Sequence, residues 1–135
     1  MSRFYTSVCV YGKNVLYRGY ENGKQITDRV EYHPTLFVPS TSETSIHRSL
    51  DGHRLEPVQP GTIHDCREFV EKYKHINGFR IFGNTDYIYP FIADKFPDEI
   101  EYDMSQIGVA NIDIETECEY GFPQVDDPKE KVIAI

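Results

Sequence analysis

The feature that most constrains the fold is the dipeptide Asn22-Gly23, which lies between two segments of strand-like composition. Both residue types tolerate a positive φ, and the tightest β-hairpin turns require a positive φ at both central positions. The flanking segments, Val15–Tyr20 and Gln25–Tyr32, are rich in β-branched and aromatic residues, which favour strands. This arrangement predicts an antiparallel hairpin near the start of the chain.

Two further segments extend the strand pattern on either side of this hairpin. Phe4–Tyr11 has the same composition, and a Gly-Lys-Asn turn joins it to the hairpin. Pro34 precedes the other segment, Thr35–Pro39, and places it at a sheet edge or a strand start, because proline lacks an amide donor. We therefore expect a meander of three or four antiparallel strands, and then a short hairpin around Asp51-Gly52.

The middle of the chain contains one strongly patterned helix. Thr62 is a suitable N-cap, and Asp65 stands three residues later, as in a capping box. Gly78 is typical of a helix C-terminus. Apolar residues occupy positions i, i+3, i+4 and i+7, the spacing of a single helical face: Cys66, Phe69, Val70 and Tyr73.

Two shorter elements are predicted after this helix. Phe79–Phe82 reads as a short strand, and Tyr87–Lys95 as a second helix that is capped within Asn84–Asp86 and stops before Pro97. Strands followed by one or two helices indicate an α+β fold rich in antiparallel strands.

A second domain is expected to begin after residues 98–106, which are polar and acidic without periodicity. Ile107–Glu115 then predicts a buried strand, because its small and β-branched residues suit a sheet covered on both faces. Val132–Ile135 predicts a second apolar strand, and an uncovered apolar strand is an aggregation hazard that complete domains usually avoid. We therefore expect a domain over residues 1–106 and the incomplete beginning of another over residues 107–135.

Charge is unevenly distributed along the 135 residues, whose formal net charge is −8. The segment from Asp94 to Lys131 contains 12 acidic and 3 basic residues, whereas the first 93 residues contain 10 and 11. The chain as a whole therefore lacks a basic footprint for nucleic acid. The acidic residues either form a solvated surface or include a few that hold divalent metal ions.

Cysteine content and hydropathy indicate the cellular compartment. Three cysteines at wide spacings (Cys9, Cys66 and Cys118) favour reduced thiols over a disulfide framework or a zinc site. No run of about 18 apolar residues is present, which excludes a transmembrane helix by sequence. We expect a soluble, cytoplasmic protein that is neither secreted nor bound to a membrane.

Asp113 and Glu115 carry the clearest chemical pattern. Side chains at i and i+2 of a strand point to the same face. A hydrophobic strand with two acids on one face must pair, hydrogen-bond or coordinate them, and carboxylate oxygens suit Mg²⁺ or Mn²⁺. The alternative is a strand end whose acids are solvated or paired with lysine or arginine.

The context of these acids resembles a known family. Val109–Glu115 is similar to the exonuclease I motif of family B DNA polymerases, and Glu119–Pro123 resembles the residues that follow it in the T-even bacteriophage group. Arg29–Phe37 and the opening Phe4-Tyr5 resemble the N-terminal domain of the same enzymes. The likeness extends, with gaps, over nearly the whole chain.

The resemblance implies a role for both acids. Asp113 and Glu115 would be the first two metal ligands, and catalytic carboxylates, of an RNase H-like 3′→5′ proofreading exonuclease that uses Mg²⁺ or Mn²⁺. The motifs that supply the other ligands are absent from the sequence, as is the polymerase itself. A two-metal site would form only when downstream residues complete it, and the segment alone is expected to be inactive.

The resemblance also implies partners. The parent enzyme would bind single-stranded template DNA and a primer 3′ end, and it would contact a sliding clamp through a C-terminal part that this sequence does not contain. The segment would scaffold the exonuclease and the template channel in the host cytoplasm. Its main partner would be the downstream portion of the polymerase, in the same polypeptide or as a separate chain.

Two other functions are compatible with parts of the sequence. The chain could be a small RNase H-like nuclease, although further acids on later strands are then needed. It could instead be a non-catalytic nucleic-acid-binding module that stacks bases on tyrosines of the N-terminal sheet, with core packing of those tyrosines as the alternative. The tyrosines concerned are Tyr5, Tyr17, Tyr20 and Tyr32, and the neighbouring basic residues are Arg3, Lys13, Arg18, Lys24 and Arg29.

Overall fold

In the computed structural model, two compact units comprise Met1–Met104 and Ser105–Ile135. The structure describes residues 2–119, 121–122, 124–127, 129 and 131–135. Antiparallel sheets and two α-helices make up the described chain, so the predicted α+β class is confirmed.

The first sheet is the predicted meander. It contains β1 (Arg3–Tyr11), β2 (Asn14–Glu21) and β3 (Lys24–Glu31), in the order β1-β2-β3 with both pairs antiparallel. Asn22 and Gly23 have φ values of 51° and 80°, as the hairpin prediction requires. The register shifts between Tyr5 and Ser7, which places a bulge in β1.

A second sheet contains the fourth predicted strand. β4 (Leu36–Pro39), β5 (His47–Arg48) and β6 (Arg54–Val58) are arranged in the order β4-β6-β5, so the fourth strand does not continue the first meander. The hairpin predicted around Asp51-Gly52 joins β5 to β6. The strand predicted over residues 79–82 is wrong, because Phe82 alone makes a β-bridge, to Phe37.

The first helix, α1 (Ile63–Tyr73), begins as predicted. Thr62 is its N-cap, and both reciprocal bonds of the capping box with Asp65 are present. The predicted end at Gly78 is wrong, because the helix ends at Tyr73 and a turn leads to Gly78, whose φ is +78°. In that turn the Phe79 amide donates to the Ile76 carbonyl at 3.2 Å.

The second helix, α2 (Ile88–Lys95), is confirmed in extent but not in its cap. Its N-cap is Tyr87, which makes no side-chain capping bond. The Asn84 side chain instead accepts a hydrogen bond from the Asp86 amide at 2.9 Å and stabilises the preceding turn. Within the described residues, no helix has the length and hydrophobicity required to span a membrane.

One aromatic-rich core joins both sheets and both helices of the first unit. Tyr32 packs edge to face against Phe91 of α2, with ring centroids 5.4 Å apart. Side chains of β2, β4, α1 and α2 all contribute to this core. The first unit therefore buries apolar side chains, and burial of apolar surface is the main force that stabilises a domain. The buried cluster consists of Val15, Tyr17, Tyr32, Leu36, Ile63, Cys66, Tyr87, Phe91 and Phe96.

The second unit contains a small antiparallel pair, β7 (Glu115–Thr116) with β8 (Val132–Ala134). A short 3₁₀ helix, Met104–Gln106, lies where the two units meet in sequence. The buried strand predicted over Ile107–Glu115 is wrong in extent, since only its last residue is paired. A strand needs hydrogen-bonding neighbours, and β8 reaches only Glu115 and Thr116 among the described residues.

Candidate functional site

The Asp113–Glu115 carboxylate pair lies at the start of β7. Glu115 is the first residue of the strand and faces Ala134 across the ladder, whereas Asp113 precedes the strand. Asp113 Oδ1 accepts a hydrogen bond from the Ile114 amide at 3.0 Å. Such a local bond competes with strand pairing, which accounts in part for the late start of β7.

Both carboxylates are exposed in this structure. Ile114, expected to point into a core between them, has an exposed fraction of 54%, and Val109 and Ile112 are each 76% exposed. The prediction that these apolar residues are buried is therefore wrong within this chain. Exposure leaves the oxygens of Asp113 and Glu115 accessible to a cation or a partner.

The donor chemistry of the pair fits a hard divalent cation. Mg²⁺ is commonly held by one or two carboxylates together with waters and substrate phosphates. Asp113 and Glu115 offer that minimum from one short stretch of backbone. Among the residues that the structure describes, no group of three His, Cys, Asp or Glu side chains is placed to hold a metal ion.

Local contacts link some of the described residues between β7 and β8. The Glu117 amide donates to the Lys131 carbonyl at 3.0 Å, which extends the pairing of the two strands by one bond. Lys129 forms an ion pair with Asp127 at 2.6 Å. No described lysine or arginine forms an ion pair with Asp113 or Glu115.

The tyrosines of the first sheet form core and cross-strand contacts. Tyr17 and Tyr32 are buried, and Tyr20 stacks on its cross-strand partner Phe4 with ring centroids 5.3 Å apart. Tyr5 is half-buried against Phe96. The core-packing interpretation of these four tyrosines is therefore confirmed, and they do not provide an exposed stacking surface.

A second group of residues was missed by sequence reasoning. Arg54 of β6 and Arg80, which follows α1, line the same cavity of about 290 Å³ although 26 positions separate them. The available sequence indication was the interleaving of basic and aromatic residues over positions 72–82. The fold alone brings that segment beside the second sheet.

Comparison with known proteins connects the chain to one group of enzymes. No protein-family model matches the chain. It is 34% identical over 116 residues to the DNA-directed DNA polymerase of Enterobacteria phage T4, an alignment that covers 85% of the chain. It is also 29% identical over 137 residues, and over 100% of its length, to the DNA-directed DNA polymerase of Escherichia phage RB69.

The chain is a relative of the DNA-directed DNA polymerases of T4-like phages. This finding confirms the resemblance to phage DNA polymerases that the residues indicated. The chain spans only 13% and 15% of the length of these two polymerases. The similarity therefore concerns one segment of much larger proteins.

Proposed function

We propose that the chain is the N-terminal segment of a family B replicative DNA polymerase with a 3′→5′ proofreading exonuclease. The observation that carries the proposal is the similarity to two phage DNA-directed DNA polymerases, which covers 85% and 100% of this chain. A chance match would not extend over both the first unit and the second. The segment's role is to scaffold the exonuclease and the template channel.

Within this proposal, Asp113 and Glu115 are metal ligands of the exonuclease. Their accessible carboxylates and the surrounding Val109–Glu115 motif support the assignment. Bound Mg²⁺ or Mn²⁺ would supply a nucleophilic water and stabilise the leaving oxygen of a phosphodiester. The two side chains themselves position the ions, and their negative charge is compensated only when the ions are bound.

The same proposal explains why the segment depends on a partner. Two carboxylates are too few to hold a metal pair, so the remaining ligands come from the downstream portion of the polymerase, in the same polypeptide or in a second chain. The chain alone is then expected to leave single-stranded DNA intact in the presence of Mg²⁺. Template, primer 3′ end and sliding clamp are partners of the complete enzyme.

A chimaera tests this function. The residues of the phage T4 polymerase that align with this chain are replaced by the chain itself, and primer extension and 3′-end degradation are both measured with Mg²⁺. We expect both activities, because the segment then receives the downstream residues that it requires. The matched control is the same polymerase without the aligned segment.

The result that would contradict the proposal is a chimaera whose grafted segment resists limited proteolysis, as a folded segment does, yet which shows neither activity above that control. Because cleavage within the grafted segment reports on the folding of that segment itself, a failure of folding is distinguished from a failure of function.

A further inference from the structure

Three adjoining cavities in the first unit converge on Arg80. Their volumes are about 490, 290 and 240 Å³, and Arg80 lines all three. The 490 and 240 Å³ cavities also share Lys74 and Phe79, and the 490 and 290 Å³ cavities share Gly78. The cavities therefore adjoin one another at Arg80, and we call the surface that they line the Arg80 groove.

The Arg80 groove is basic although the chain as a whole is acidic. None of the residues that line its three cavities is Asp or Glu, whereas the lining includes Arg54, Lys74 and Arg80. His53 and His75 are also lining residues. A concave surface with charge of one sign focuses the field and raises the local concentration of an oppositely charged ligand.

The arginines of the groove lack carboxylate partners. Neither Arg54 nor Arg80 forms an ion pair with any residue that the structure describes, whereas Lys74 is paired with Glu71 at 2.5 Å. The Glu56 carboxylate accepts a hydrogen bond at 3.3 Å from Ser40, which lines the 290 Å³ cavity. Two guanidinium groups with five donors each are thus available for phosphate oxygens.

The strand register adds a third arginine beside the groove. Arg48 of β5 is the direct cross-strand partner of Arg54, so both side chains lie on the same face of the second sheet. Among the described residues, Arg48 donates only to the backbone carbonyls of Ser45 and His47, at 3.2 and 3.4 Å. Like charges directly opposite each other destabilise a strand pair, and a bound anion between them would remove that repulsion.

Aromatic rings accompany these cations. The Arg80 guanidinium lies 4.9 Å from the centroid of the Phe82 ring, and both residues line the 290 Å³ cavity. Phe79 lines the two other cavities and packs against Tyr73, with ring centroids 5.4 Å apart. Cations that track a phosphate backbone, interleaved with rings that stack bases, are the two components of single-strand binding surfaces.

We propose that the Arg80 groove binds single-stranded DNA. Arg54 and Arg80 contact successive phosphates. One base stacks on the Arg80–Phe82 pair within the 290 Å³ cavity that both residues line. A single strand is favoured over a duplex because its bases are free to turn into separate cavities. The inference deepens the proposed function, on which its choice of DNA rests, by assigning a binding surface to the first unit.

The test measures the affinity of the full 135-residue chain for a fluorescently labelled oligothymidylate over a series of potassium chloride concentrations. The double variant Arg54→Gln/Arg80→Gln is expected to flatten the dependence of log affinity on log salt concentration. For a single strand, removing one phosphate-binding cation reduces that slope by about 0.7, so removing two reduces it by about 1.4. Arg80→Lys is expected to keep the slope but to weaken binding about fivefold or more, because lysine retains the charge without the planar stack.

Arg18→Gln is the matched control. Arg18 is an exposed arginine of β2 in the same unit, and it lines none of the three cavities. This variant removes one positive charge without altering the groove, so the slope should remain that of the parent chain. Thermal melting of every variant shows whether the fold is retained.

Three results would overturn the inference. The first is failure of the parent chain to bind the oligothymidylate at low salt. The second is an equal change of slope, per charge removed, in Arg18→Gln and in the groove variants. The third is tighter binding of an oligouridylate or of duplex DNA, which would replace single-stranded DNA as the occupant.

The outcome is separable from that of the proposed function. The binding assay uses the isolated chain, and its result does not depend on Asp113 or Glu115. The chimaera, in contrast, measures an activity that requires these two residues. An active chimaera together with unaltered binding in the groove variants would refute the groove alone. An inactive chimaera together with groove-dependent binding would refute the proposed function alone.

Discussion

The Tyr32 hydroxyl donates a hydrogen bond of 2.5 Å to the carboxylate of Asp94, which joins the end of the first sheet to α2 across 62 positions of sequence. Burial, followed by this hydrogen bond and the Asp94 charge, raises the pKa of Tyr32 above its ordinary value. The phenol therefore remains a donor throughout the physiological pH range. The Tyr32 ring meanwhile packs against Phe91, so hydroxyl and ring make separable contributions.

Tyr32→Phe is predicted to lower the free energy of unfolding by about 1–2 kcal/mol, because it removes a hydrogen bond to a charged acceptor while the ring stays packed. Urea denaturation followed by circular dichroism measures this change. The matched control is Tyr11→Phe, since Tyr11 is 63% exposed and substitutions at exposed sites usually change stability by less than about 0.5 kcal/mol. Equal effects of the two variants would contradict the assignment.

The same substitution at Tyr17 is predicted to have the opposite sign. Tyr17 is fully buried, and its hydroxyl has no hydrogen-bond partner among the described residues. A buried polar group without a partner costs about 1–3 kcal/mol, so Tyr17→Phe is expected to leave stability unchanged or to raise it by up to that amount. A loss of stability comparable to that of Tyr32→Phe, in the same denaturation assay, would show that the Tyr17 hydroxyl is bonded.

Gly19 allows a close approach of β1 to β2 beside the bulge in β1. A Cβ atom added there would lie within 3.0 Å of both the Phe4 carbonyl oxygen and the Tyr17 hydroxyl. Gly19→Ala is therefore predicted to destabilise the first unit by about 2 kcal/mol or more, because the clash involves backbone. Gly108→Ala is the control, since a Cβ at Gly108 meets nothing within 4 Å and the melting temperature should not change.

The capping box of α1 predicts a dependence on acid pH. Side-chain and backbone hydrogen bonds from Thr62 hold the pKa of Asp65 below its ordinary value of 3.8. Because the unfolded chain then takes up a proton at a higher pH than the folded chain, the contribution of Asp65 is complete above pH 3.8 and declines as the pH falls below it. Thr62→Ala should cost about 1 kcal/mol at neutral pH.

The measurement is the free energy of unfolding of the parent and of Asp65→Asn as a function of pH. The difference between them should shrink as the pH falls below 3.8. Glu43→Gln removes an acid from an exposed loop and should show no such convergence. A difference that is constant with pH would exclude a charged capping carboxylate.

The elements predicted correctly from sequence are those determined by neighbouring residues. The Asn22-Gly23 turn and the Thr62–Asp65 capping box are both closed by contacts within a few positions, and both are present. The helix α1 ends at Tyr73 and not at the predicted Gly78, because the ring of Phe79 packs back on Tyr73 and the chain turns between them. Such a contact leaves no periodic pattern in the sequence.

The candidate sites follow the same division. The motif around Asp113 and Glu115 is contiguous and was recognised directly, whereas the pairing that would bury Ile114 depends on strands that the described residues do not provide. The Arg80 groove was missed because Arg54 and Arg80 become neighbours only through the packing of separate segments. A motif of contiguous residues can be recognised from the sequence, whereas a site formed by distant residues can be recognised only from the tertiary structure.

The most direct measurement is the ratio of 3′-end degradation to primer extension in the chimaera with the phage T4 polymerase, for Asp113→Asn, Glu115→Gln and the matched variant Glu117→Gln. Primer extension reports that each protein is folded. If Asp113 and Glu115 are metal ligands, their variants should reduce degradation by about two orders of magnitude or more while primer extension persists, and Glu117→Gln should match the parent. Parental degradation in the Asp113 and Glu115 variants would contradict the assignment of both residues to the exonuclease metal site.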